Sequence, residues 1–131
     1  MQYLGVLVAA AAAFAFGAVW YMSLSRTWLA AAKVECDENG RPVNASAMPF
    51  VICAVSLILI AGMMRHVMTM SGLSTLVEGL MVGFGLGAFI ALPWLVTCYA
   101  YAQRPKMLSY IDGAYVVIGC TIIGVVLSFF L

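Results

Sequence analysis

Four long hydrophobic runs divide the chain, over about residues 3–22, 47–66, 75–102 and 113–131, and the polar residues are crowded into the short connections between them. A helix needs roughly 20 predominantly apolar residues to cross a bilayer, so each run reads as a membrane-spanning helix. Hydrocarbon offers no water to a bare backbone, which leaves helices or closed barrels as the only spanning structures. The expected fold is therefore all-α: an integral membrane bundle of four up-and-down helices forming one domain over residues 1–131. Composition excludes a soluble globule. The chain is 66% hydrophobic and 8% charged with a mean hydropathy of +1.11, against about 45–50% apolar and about 25% charged for soluble proteins. No Lys or Arg precedes the first run, as a cleavable signal requires, so the first helix is expected to be retained.

Charge gives an orientation. Arg26, Lys33 and Arg41 lie in the first loop and Arg104 and Lys106 in the third, whereas the second holds only Arg65, beside His66. Lys and Arg flanking a span tend to stay cytoplasmic, which puts both termini and the second loop outside. Most Trp and Tyr residues fall at the same end as the positive loops. Cys53, Cys98 and Cys120 lie within the hydrophobic runs and Cys36 in the first loop; they read as reduced, small packing residues rather than as a disulfide framework.

Small residues recur at every fourth position on two helices. Helix one carries Gly5, Ala9, Ala13 and Gly17, and helix three carries Gly79, Gly83, Gly87 and Ala91 in a glycine-zipper pattern. Such a face lets a neighbouring backbone approach closely, and helices one and three are expected to pack on each other, within one chain or across a homo-oligomer. Helix three opens on Thr75-Leu76-Val77-Glu78, a capping-box pattern that offers Glu78 an interfacial role beside the functional one that any membrane carboxylate suggests. Pro93 lies deep in the same helix, where it removes the bond to the Phe89 carbonyl; a kink or hinge is expected there.

Two motif-bearing segments sit at the positive end. Helix one closes on Gly17-Ala18-Val19-Trp20-Tyr21, followed by Ser23, Arg26 and Trp28. The third loop and the start of helix four read Arg104-Pro105, then Ile111-Asp112-Gly113-Ala114-Tyr115. In this order of segments the whole chain resembles a bacterial family of small four-helix inner-membrane proteins known as domain of unknown function 1761. It departs from that pattern at Ser23, where a proline commonly follows the Trp-Tyr pair, and in the polar insert Lys33 to Asn44. The resemblance implies a multi-pass protein of a bacterial inner membrane and supplies no activity.

Trp20, Tyr21, Arg104, Asp112 and Tyr115 form the candidate cytoplasmic-face pocket, with Asp112 the central carboxylate. The plainer alternative is that Asp112 caps helix four while the aromatic residues form an interfacial belt. At the other end His66, Met68 and Met70 are soft groups suited to Cu(I), a weaker candidate site because methionine abounds at flexible apolar helix ends. No catalytic set or cofactor motif can be assembled, and a net charge of +1 without a basic patch offers nucleic acid little attraction. Two functional classes remain. One is a structural or accessory bundle that self-associates or docks on a membrane-protein partner through its small-residue faces. The other is a small channel or transporter lined by helix three. Transport calls for polar groups at membrane depth, and the runs offer only small hydroxyls such as Ser56, Thr97 and Thr121.

Overall fold

The computed structural model describes residues 2–131. Its helices are α1 (Gln2–Ser23), the short α2 (Ser25–Ala32), α3 (Met48–Met70), α4 (Leu76–Leu86), α5 (Leu92–Tyr101) and α6 (Lys106–Ser128). Helices α4 and α5 are joined by a π turn into one span, Leu76–Tyr101; with α1, α3 and α6 this makes four spans long and apolar enough to cross a membrane among the described residues. The protein is a multi-pass helical membrane bundle.

Helix α6 is its centre. Helix α1 lies along one side of α6 and α4 along another, α3 packs mainly on α1, and α3 touches α4 but not α5. The expected pairing of helix one with helix three is therefore corrected: α1 and α4 share no contact, and each is packed on α6. Both small-residue faces are nonetheless filled within the chain. Gly79 and Gly83 lie against the backbone of Gly124 and Cys120, and a Cβ on Gly83 would stand 2.8 Å from the Thr121 Cα. On α1, a Cβ on Gly5 would strike the Phe130 side chain and one on Gly17 the Tyr115 ring, each at 2.7 Å. Ala9 and Ala13 are fully buried in the core with Ala61, Met64, Met68, Ile123 and Leu127. Lipid tails are as apolar as these side chains, so the close approach is held by van der Waals contact rather than by exclusion of water. A second glycine, Gly124, supplies the opposing gap on α6, which is what lets two backbones meet.

The helix ends differ from the hydropathy pattern in three places. Helix α6 begins at Lys106 and not near Gly113, because Pro105 takes the N-cap position and Leu108 and Ile111, three residues apart, turn one apolar face inward. Asp112 consequently lies inside a helix and is not its cap. Helix α3 runs on to Met70 and is closed by Gly72 at φ +69 with the Leu73 amide donating to the Met68 carbonyl at 2.9 Å, a left-handed turn that glycine adopts without strain. In the third span, where the Pro93 kink is expected, the recorded irregularity is the π turn Gly87–Ala91, in which the Leu92 amide reaches back five residues to the Gly87 carbonyl. Such a turn re-sorts the backbone bonds ahead of a residue that has no N–H to donate.

The capping box of α4 is present: the Thr75 hydroxyl accepts the Glu78 amide at 3.3 Å, and Glu78 Oε2 accepts the Ser74 and Thr75 amides at 2.9 Å each. Beyond α2, Lys33 adopts a left-handed conformation and residues 33–47 form a compact loop, bridged between Cys36 and Pro42 and turned by Asp37, whose carboxylate accepts the Asn39 and Arg41 amides.

Candidate functional site

Asp112 stands on the second turn of α6, about 9 Å along the helix from Lys106 at 1.5 Å per residue. It is buried, at 7% exposure, and is the one buried charged residue among those described. Three segments reach it. Oδ1 accepts the Tyr21 hydroxyl of α1 at 2.5 Å and the Trp28 indole N–H of α2 at 2.9 Å, while Oδ2 accepts the Tyr99 hydroxyl of α5 at 2.5 Å. All three donors are neutral. Removing a carboxylate from water costs several kcal/mol, and three hydrogen bonds to a charged acceptor, about 1.5–3 kcal/mol each, offset that cost. Three of roughly four lone-pair positions are thereby filled.

Around the carboxylate the Tyr21 ring packs edge to face on its neighbours. Tyr21 meets Trp28 at 5.9 Å between centroids and Tyr115 at 5.2 Å, and Phe16 stacks on Tyr115 at 6.3 Å. The Trp20 indole donates to the Ile111 carbonyl at 3.0 Å. Consecutive residues of α1, Trp20 and Tyr21, thus hold consecutive residues of α6, Ile111 and Asp112, and one turn deeper Gly17 gives room to Tyr115. The Gly-x-x-Trp-Tyr and Ile-Asp-x-x-Tyr stretches are two halves of one clasp.

Of the five residues singled out from sequence, Trp20, Tyr21, Asp112 and Tyr115 come together. Arg104 does not join Asp112: its Nη2 donates to the Ala32 carbonyl at 2.8 Å, closing the end of α2. The Tyr115 hydroxyl also turns away from Asp112, towards the Cys53 sulfur at 3.5 Å. Trp28 and Tyr99 complete the site and were not among the sequence candidates. Trp28 carries a signal in hindsight, as an aromatic residue in the apolar stretch Trp28 to Ala32 between Arg26 and Lys33, long enough for a short helix; Tyr99 lies one short helix-turn-helix connection from Asp112. The soft-ligand candidates do not converge. Met68 is sealed in the core, whereas His66 and Met70 are exposed.

A model described as "Protein of unknown function (DUF1761)" matches residues 4–128 of the 131. The chain belongs to that family. No curated protein and no solved structure gave a match. In this DUF1761 chain the match embraces all four spans and both halves of the clasp.

Below the clasp α3 and α5 diverge and leave a cleft of about 470 Å³ whose floor is α6. Cys53, Ser56 and Ile60 line it from α3, Trp94 and Cys98 from α5, and Tyr115 and Gly119 from the floor. Pro93 faces the opposite way, into a shallower groove of about 290 Å³ with Phe89 and Trp94.

Proposed function

We propose that the protein is a structural or accessory component of a bacterial inner membrane, with both termini periplasmic, whose working face is the cytoplasmic end of the bundle. The observation that carries this reading is the Asp112 clasp: hydrogen bonds from α1, α2 and α5 meet on one carboxylate of α6 and hold the amphipathic α2 in a fixed position. Helix α2 fully buries none of its residues within the chain and, with its exposed Arg26 and the 33–47 loop that follows it, offers a surface suited to a membrane-protein partner. Gly79, Gly83 and Gly87 are occupied by α6, so docking falls to this end and to the outer faces of α3 and α5 rather than to the small-residue faces. A transport role would need polar groups along a path through the membrane; the cleft below the clasp is lined almost wholly by apolar side chains.

The test is cross-linking in the native membrane followed by mild extraction. A discrete complex that is lost in Asp112→Ala and in Trp28→Phe, while both variants still insert, supports the accessory reading. Ion or solute flux in liposomes containing the purified protein, altered by Pro93→Ala, would sink it, as would a wild-type chain that is recovered alone and monomeric.

A further inference from the structure

We infer that the cleft between α3 and α5 is a binding site for one acyl chain of a membrane phospholipid, taken from the leaflet on the clasp side. The inference stands apart from the accessory reading and concerns a different part of the molecule.

Size selects the occupant. From Tyr115 to Ile123 the floor of the cleft advances eight residues of α6, about 12 Å at 1.5 Å per residue. One leaflet of a hydrocarbon core roughly 30 Å thick is about 15 Å deep. The cleft therefore has about the depth of a single leaflet. The 470 Å³ available accepts a flexible chain.

Chemistry agrees with size. Apart from the Ser56 hydroxyl the walls are aliphatic, aromatic and thiol, and the polar contact among the lining residues, Tyr115 to Cys53, lies at the clasp end. That same end of the bundle bears the exposed cations Arg104 and Lys106, which suit a phosphate headgroup lying at the interface above the buried chain. The space also has an identifiable origin. Gly119 is buried in the floor, yet a Cβ built on it meets no atom within 4 Å, so the missing side chain leaves the cleft open and is not required by a neighbouring helix. Gly83 and Gly79, by contrast, are pressed against α6 backbone.

The experiment uses the full chain reconstituted in phosphatidylethanolamine vesicles containing a trace of the same lipid with a diazirine near the end of one acyl chain. Photolysis is expected to label the α6 segment from Tyr115 to Ile123 and the α3 segment from Cys53 to Ile60. Gly119→Phe, which fills the cleft, is expected to reduce that labelling at least fivefold, and Gly85→Phe, placed in open space outside the lining, to leave it unchanged. Equal labelling in wild type and Gly119→Phe overturns the inference, as does label spread evenly over outward residues such as Leu80, Phe84 and Phe89. Stronger labelling of the same segments by a diazirine fatty acid would show free fatty acid as the occupant, and cross-links to another polypeptide would show a helix; either result overturns the phospholipid assignment. A measurement on the unaltered cleft guards against misfolding of the variant. In a Cys36→Ser chain stripped of lipid, added phosphatidylethanolamine is expected to slow maleimide capture of Cys98 severalfold, and an unchanged rate counts against a chain beside it.

Discussion

Replacing Asp112 separates a structural clasp from a site where charge itself matters. In Asp112→Ala, two tyrosine hydroxyls and one indole N–H lose their acceptor. A buried donor left unpaired costs about 1–3 kcal/mol, and because water reaches the part-buried Trp28 and Tyr99 the sum should fall near the low end, about 3–4 kcal/mol. Asp112→Asn behaves differently. Its carbonyl oxygen can take the place of Oδ1, serving Tyr21 and Trp28, while its NH2 meets the Tyr99 hydroxyl, which rotates to accept; the expected loss is about 1 kcal/mol. Unfolding in detergent, followed by the fluorescence of Trp20 and Trp28, reads both values. The pair Asp112→Ala and Tyr99→Phe should cost at least about 1 kcal/mol less than the sum of the singles, since they remove the same bond. Were Asn to prove as damaging as Ala, with additive losses in the cycle, the argument that neutral donors and a shared acceptor stabilise this end would be wrong.

Three further outcomes follow from the packing. Gly83→Ala should destabilise by about 1–3 kcal/mol through overpacking against α6, whereas Gly85→Ala, with no atom near its Cβ, should stabilise by about 0.5–1 kcal/mol by helix propensity; thermal unfolding of the two variants side by side checks the sign. Thr75→Ala removes the hydroxyl that accepts the Glu78 amide and should cost about 1 kcal/mol, visible as faster amide exchange at Val77, Glu78 and Gly79 and little change in α6. Thiol reagents should reach Cys36, in the loop after α2, quickly and the buried Cys120 slowly; in sealed inverted vesicles Cys36 should react from outside, and protection there would reverse the proposed orientation.

The spans were legible because hydropathy and helix length are the same signal in a membrane. The start of α6 was not. Lys106, Ser109 and Asp112 lower the local hydropathy, yet they stand on a helix that buries Leu108, Ile111 and Asp112 itself, so a window average reads loop where periodicity reads helix. That displacement by seven residues changed Asp112 from a cap to a buried acceptor. Pairing was harder still. Glycine spacing shows that α1 and α4 each want a close neighbour, but not which one, and α6 advertises itself weakly because its glycines 113, 119 and 124 do not fall four apart. Trp28 escaped notice because a loop of mixed charge hides an eight-residue helix whose placement depends on a carboxylate 84 residues away.

The central place of α6 has a consequence for how the chain is made. Trp20 and Tyr21 meet partners 91 residues further on, and at a synthesis rate of about 5–20 residues per second those partners emerge roughly 5–18 s later. During that interval α1 can settle on α3, but its glycine face and that of α4 both lie open to lipid. The two grooves are closed by the last span to be translated, so assembly is finished in a single late step. Whatever receives nascent chains at the membrane must shelter a three-helix intermediate until α6 arrives.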